Sequence, residues 1–329
     1  MNATPSVAAV VASDDKDFAH FPGSMRLQAS KQEMITEMHD MVYHRLMHFA
    51  ERRGFLPRRI LFFRDGVSED QFVACQEIEV PQIRAAFNKA VADAPRIVEN
   101  FDKAKSATKL QLTFIVVGKR HHTRFYATRE KQTYRDNKGN STNPPRYEEP
   151  RFKRAKGGSG SEEVKLNGNL NPGLLVEKVV TRPKVDKTFD FFLQSHAALQ
   201  GTARSAHYSV LQQDGFTVED IKQYTHAFCY NYMRATKGVS YAGPAYYADR
   251  LCERGTHYLR AYVDHPQKKH ATPRTPGERD NGKAGDKEHA KRVATAVGND
   301  ELWCPRLRSH RNIEPNPWHP DFDDRMFWL

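Results

Sequence analysis

Hydrophobic positions in this chain fall into short dense runs separated by long polar stretches. "SVAAVVAS" (6–13) reads as a buried strand, and "FAHFPGSMRLQAS" (18–30) as a second strand with a Pro-Gly turn inside it. Residues 32–53 space Met34, Ile35, Met38, Met41, Val42, Leu46 and Phe49 at helical intervals. Ser30 is placed as the N-cap of that helix, with Glu33 completing a capping box. "RRILFFR" (58–64) is the next strand, and a helical region covers about 69–100 with a break near Pro81. "KLQLTFIVVGKR" (109–120) carries an apolar run suited to the middle of a sheet. Later strands are read in "GLLVEKVVT", "TFDFFLQS" and "SAHYSVLQQD", followed by helices at about 217–235 and 244–262. The chain closes on a short helix and the aromatic tail "DRMFWL".

Strands that come early and mixed with helices predict one α/β domain rather than two. Two segments stand outside it, 127–172 and 265–289. Both are rich in Lys, Arg, Asn, Gly, Ser and Pro, and both are expected to be disordered basic insertions read as solvated loops. They explain a hydrophobic fraction of 39% and a mean hydropathy of −0.75 in a chain of 329 residues. The net charge of +11 is concentrated: residues 119–160 hold twelve Lys or Arg against four Asp or Glu. Such a patch favours a polyanionic partner. The four cysteines form no CxxC pair, which points to a reduced intracellular setting without structural zinc and places the protein in the cytoplasm or nucleus. No apolar run reaches the ~18–20 residues of a membrane span.

Three carboxylates stand out by context. Asp65 ends a core strand at "RDG", Asp249 lies in the first turns of a helix opened after Gly243-Pro244, and Glu33 sits at a helix start. Phosphodiester hydrolysis with two Mg²⁺ ions needs several carboxylates brought together from separate elements. Spacing leaves two plainer readings open, Glu33 as a cap and Asp249 as a surface partner of Arg250. A basic set follows the strand at 109–120, where Lys119, Arg120 and Arg124 emerge together at a sheet end. Neighbouring strand residues face opposite ways, so His121 and His122 make a poor metal pair, and phosphate contact suits the region better. His207, within a strand, reads as structural.

Four long motifs change these odds. "RRILFFRDGVSEDQF" (58–72), "FIVVGKRHHTRFY" (114–126), "FDFFLQSHAALQGTARSAHYSVL" (189–211) and "YMRATKGVSYAGPAYYADRL" (232–251) resemble, in order, the Piwi domain of eukaryotic Argonaute proteins. The resemblance implies a ribonuclease H-like fold, a mixed sheet flanked by helices with two long polar insertions. It also implies small-RNA-guided cleavage of RNA. Asp65 matches the family's metal-binding aspartate, Glu33 the glutamate that completes the site, and Asp249 the last ligand, with two Mg²⁺ ions expected in an intact parent. An aspartate at that last position is a hard oxygen donor well suited to Mg²⁺. The resemblance further assigns the guide backbone to Lys119, Arg120, Arg124, His196, Gln200, Arg204, Tyr232, Arg234, Ser240, Tyr246 and Arg254. Lys119 and Arg254 are placed nearest the guide's 5′ phosphate. Asp249 and Arg254 are five residues apart, about 140° around a helix, so one can face a cleavage site while the other faces a guide.

The family's first catalytic aspartate lies on a strand ahead of "SVAAVVAS", in a segment similar to Asp-Val-Thr-His-Pro. The sequence begins beyond it, so the domain is expected to be incomplete at its N-terminus, with an exposed sheet edge and no cleavage by this chain alone. Three readings stand side by side: a truncated RNA endonuclease domain, a guide-RNA-holding module that silences without cutting, and a truncated gene product. Expected partners are a guide RNA, a complementary target RNA and a tryptophan-bearing silencing protein, with no membrane.

Overall fold

Two strands open the chain, β1 (Ser6–Val11) and β2 (Gly23–Gln28), followed by α1 (Met38–Arg53) and β3 (Arg59–Asp65). A composite helix comes next: α2 (Phe72–Ala74), a π-helical stretch Cys75–Glu79 and α3 (Val80–Ile97). After β4 (Gln111–Gly118) come four short strands, β5 (Arg129–Glu130), β6 (Tyr147–Glu148), β7 (Arg151–Ala155) and β8 (Ser161–Lys165). The remaining elements are β9 (Leu174–Val176), β10 (Phe189–Gln194), β11 (Ala206–Gln212), α4 (Val218–Phe228) and α5 (Gly243–Asp264). This computed structural model describes residues 5–125, 172–182, 185–186, 188–198, 201–264, 316–318 and 320–329, the four short strands, and single residues at 170, 275, 284 and 288. Most of 127–172 and 265–289 lies outside the described residues. What is described in the first is two small ladders, β5 with β6 and β7 with β8.

The central sheet runs β3-β4-β11-β10-β9 and is mixed. β3 lies parallel to β4, with Asp65 opposite Val117, and the other pairs are antiparallel. Alternation along β3 decides what faces where. Ile60 and Phe62 pack into a core with α1 and α3, while Leu61 and Phe63 pack into a second core with α4 and α5. Helices on both faces explain why β4 is apolar along nearly its whole length. The expected class, a mixed α/β sheet flanked by helices, is therefore what the chain adopts.

The sheet is divided, however. β1 pairs with β2 in a separate two-stranded ladder, and between β1 and β3 lies a cleft of about 1040 Å³. Residues 7–13 and 58–66 border it consecutively, so it is the edges of the two strands that face each other. The core is continuous beneath it: Ala8 and Val10 of β1 share one cluster with Leu112 and Phe114 of β4. On the other face α5 crosses the hairpin so closely that a Cβ on Gly255 would meet Met25 Sδ at 2.6 Å.

Two local expectations are corrected. The helix expected from 32 begins at Met38, and its N-cap, Glu37, makes no side-chain cap bond. The Ser30–Glu33 capping box is absent because residues 32–37 are held as a turn segment by β3 and the composite helix, which supply stronger partners than a cap would. Pro81 does not break the helix. It comes just after the π-helical stretch Cys75–Glu79, and the irregularity is confined to that stretch while the helix runs on to Ile97.

Candidate functional site

The parallel pairing of β3 with β4 brings Asp65–Gly66 and Gly118–Lys119 to the same end of the sheet. Antiparallel pairing puts the start of β11 there too, since His207 lies opposite Gly118, and with it the end of β10. The first turns of α5 reach the same rim, because buried Tyr208 on β11 accepts the Ala242 N–H through its hydroxyl at 3.1 Å. The loop before α5 is tied down by Ser195 Oγ, which donates to Val239 O at 2.5 Å.

Asp65 is half-buried at this rim. The chain leaves β3 through Gly66 at φ 80°, a left-handed turn that favours glycine, and the Gly66 N–H donates to Asp65 Oδ1 at 2.8 Å. Burial pushes the Asp65 carboxyl above the usual range, and the charge of Asp249 pushes the same way. Lys119, the Gly66 N–H and Arg64 pull against them. Asp65 and Asp249 thus sense each other across the cleft they both line. Arg250, the surface partner considered for Asp249, pairs with Glu253 at 2.5 Å instead.

Lys119 is the cation of this pair. Its Nζ lies 3.1 Å from the centroid of the Tyr241 ring and 5.0 Å from that of Tyr246. Burial lowers the Lys119 ammonium from its ordinary value, opposed by Asp65 and Asp249. The two aromatic faces offer a half-buried ammonium favourable contacts beside those carboxylates.

Glu33 arrives from the other face of the sheet. Its carboxylate lines the cleft but accepts a hydrogen bond from Gln71 Nε2, whose own amide oxygen is oriented by the Ser68 N–H at 3.3 Å. Its backbone is pinned by Arg64, which alternation sends to the α3 side. Arg64 Nη2 donates to Glu33 O at 2.6 Å, and Nη1 donates to Asp65 O. The guanidinium is paired with fully buried Glu79, Nε to Oε2 at 2.9 Å and Nη2 to Oε1 at 2.9 Å. Glu79 Oε1 also accepts the Ile35 N–H at 2.9 Å. Neither Arg64, Glu79, Gln71 nor Tyr241 was singled out from the sequence. Only the strand alternation hinted that Arg64 and Asp65 serve opposite faces.

Among the described residues, no three His, Cys, Asp or Glu side chains come close enough together to hold a metal ion. Asp65 and Asp249 are all-oxygen donors whose mutual repulsion a divalent cation would relieve, so the donor chemistry fits Mg²⁺. Glu33, engaged by Gln71, stands apart from them.

The basic positions divide. Arg120 and Arg204 are exposed at the rim, and His196 and Ser240 are half-buried there. Burial and the nearby Lys119 charge hold His196 below the usual imidazole value. Arg124 donates to its own loop, to His121 O at 3.0 Å and Thr123 O at 2.7 Å. Tyr232 is buried against Phe21, Tyr246 and Tyr247. Arg234 and Arg254 are exposed, and Gln200 lies outside the described residues. His121 donates through Nε2 to Ser205 O at 2.8 Å, and His207 pairs with Asp190 at 2.5 Å, the structural role expected for it. Cys75, Cys229 and Cys252 are free thiols. None of the described helices is long and apolar enough to cross a membrane.

Comparison with known proteins completes this picture. Residues 1–260 match the family described as Piwi domain. Protein argonaute 18 of Oryza sativa subsp. japonica is 36% identical over 258 residues, 78% of this chain and 20% of that protein. Protein argonaute 5 of Arabidopsis thaliana is 34% identical over 275 residues, 79% of this chain and 23% of that one. The chain thus spans about a fifth of the length of these relatives. Among solved structures, the C-terminal lobe of a budding yeast Argonaute superposes with a TM-score of 0.68 at 26% identity, covering 100% of this chain and 51% of that one. Kluyveromyces polysporus Argonaute with a guide RNA gives 0.59 at 28% identity, covering 82% and 28%.

Proposed function

The chain belongs to the Piwi domain family, and from that premise we propose that it holds a small guide RNA and its complementary target within a silencing protein. The observation that carries this reading is the single rim where β3, β4, β10, β11 and α5 converge. There Lys119, Arg120, His196, Arg204, Ser240 and Tyr246 offer cations, hydroxyls and an imidazole, without any base-reading element. Those types suit a phosphate-sugar backbone, and sequence specificity then comes from guide–target pairing. Asp65 and Asp249 would hold Mg²⁺, which when bound activates water and stabilises the leaving oxygen. Lys119 holds the positive charge between them and the RNA, and Gly66 fixes the Asp65 carboxylate.

A second reading, binding without cutting, is favoured by one feature: Glu33 is occupied by Gln71 and does not join the two aspartates. Two assays separate the readings. Filter binding of a 5′-phosphorylated single-stranded RNA should show affinity falling with salt, the slope shrinking by about 0.7 when one phosphate-contacting cation such as Arg120 is removed. Cleavage of a guide-matched RNA in Mg²⁺ should be absent. Binding indifferent to salt and to Arg120→Ala would overturn the proposal, and cleavage lost in Asp65→Asn would overturn the non-cutting reading.

A further inference from the structure

The cleft between β1 and β3 has the form of a strand-shaped slot. β1 pairs with β2 and β3 with β4, so among the described residues the facing edge of each has no strand partner. Helices close the slot on both faces. Val42, Leu46 and Ile83 line it from the side of α1 and α3, and Phe216, Phe228 and Ala245 from the side of α4 and α5. A seven-residue strand, rising ~3.3 Å per residue, ~4.8 Å from each neighbour and between layers ~10 Å apart, occupies on the order of 1000 Å³. The cleft holds about 1040 Å³, and β3, its longer wall, has 7 residues. One polar side chain in the lining lacks a partner. Gln28, 7% exposed, donates through Nε2 to Gln32 O at 2.5 Å, and its sealed Oε1 accepts no hydrogen bond among the described residues. The two mouths differ in charge. Arg58 and Arg59 border the end where β3 begins, with Arg53 ahead of them on the same short connection, and Asp65, Asp249 and Glu33 border the end where it stops. Asp15, Lys16 and Asp17 of the β1–β2 loop also border the slot.

We propose that this chain takes up an extended segment of another polypeptide in the slot, as a strand paired with β1 on one edge and β3 on the other. An edge held between two helical layers is screened from water, so its N–H and C=O groups gain more from a peptide backbone than a solvated edge would. Backbone pairing supplies affinity, and the walls select the sequence. Successive side chains of a strand point to opposite faces, and here both faces are apolar. The matching segment is therefore a continuous run of six or seven apolar, β-branched residues, the lengths of β1 and β3, rather than an alternating one. A carboxylate at the end near Arg58 and a cation at the end near Asp65 and Asp249 complement the mouths. One donor within the run, such as a threonine hydroxyl, satisfies Gln28 Oε1. Recognition of this kind uses backbone and apolar walls, so it stands apart from the RNA-binding reading.

The full chain serves as receptor. The probes are fluorescein-labelled Glu-Val-Ile-Val-Thr-Val-Ile-Val-Lys and its reversed sequence, the tighter of the two being carried forward. Fluorescence anisotropy should saturate at one peptide per chain, and amide exchange should slow in Ser6–Val11 and Arg59–Asp65 together. Alternate residues of a strand present their N–H groups to opposite edges. N-methylation of the odd residues, and separately of the even ones, should therefore each weaken binding by roughly ten-fold or more, as the loss of two or three backbone bonds warrants. Arg58→Glu, at an exposed position, should weaken the probe about three-fold and turn the preference to a peptide with Lys in place of its Glu. Weakening by only one methylated set, protection of only one strand, an Arg58→Glu chain that still prefers the Glu probe, or no binding at 1 mM peptide would each overturn the slot. A peptide-free dimer with the same two segments protected would overturn it too, giving the cleft to a second copy of this chain.

Discussion

Removing the carboxylate of Glu79 tests how the Glu33 segment is held. Glu79 is fully buried and accepts three hydrogen bonds, two from Arg64 and one from the Ile35 N–H, all at 2.9 Å. Breaking a buried ion pair by deleting one partner costs about 3–5 kcal/mol, because the remaining charge is left uncompensated. Arg64 would keep the carbonyls of Glu33 and Asp65, which places Glu79→Ala near the lower bound, about 3 kcal/mol. Glu79→Gln keeps an acceptor for Ile35, but it sets an amide NH₂ against the Arg64 Nε–H and leaves the guanidinium uncompensated, so it too should cost about 3 kcal/mol. The double change Arg64→Met/Glu79→Met removes both charges and should come within about 1 kcal/mol of the parent. Urea denaturation at neutral pH, extrapolated linearly to water, reads all three. Should Glu79→Ala cost less than about 1 kcal/mol, or the double variant fall by the sum of its singles, the buried pair is not what holds this corner.

Asp65→Asn should stabilise the metal-free chain at neutral pH. The folded state raises this carboxyl, so between the ordinary value near 3.9 and the raised one it binds more protons than the unfolded chain, and stability falls as pH climbs through that window. Asparagine removes the loss. Melts at pH 7 should show the variant above the parent, with the gap closing below pH 4. Tyr208→Phe should cost about 1–3 kcal/mol in the same urea assay, since it leaves the buried Ala242 N–H without its acceptor at the entry to α5. An equal midpoint in parent and variant would mean that water or another group takes over that bond.

What the sequence by itself determined was local and periodic. The apolar runs at 109–120, 188–195 and 205–214 placed β4, β10 and β11, and the helical spacing at 244–262 placed α5 within two residues at each end. An aspartate followed by glycine at the end of an apolar run was legible as a strand-end carboxylate. The motifs marked Asp249 as its companion before any distance was known.

Tertiary structure decided the rest. Periodicity cannot say whether two strands pair: the resemblance led to the expectation of an exposed sheet edge, but that β1 and β3 border one cleft came from the packing. Only three residues of "GLLVEKVVT" became strand, Leu174–Val176, paired with Phe192–Gln194 of β10. Glu33 looked like a cap because Ser-x-x-Glu spacing is a local rule. Gln71 and Arg64, 38 and 31 residues away, hold its side chain and its carbonyl instead, and Arg64 is itself fixed by buried Glu79, 46 residues from Glu33. Contacts of that kind depend on side chains that meet only after the sheet and helices have packed. For that reason the role of each acidic or basic residue here is set by its neighbours in space rather than by its own spacing along the chain.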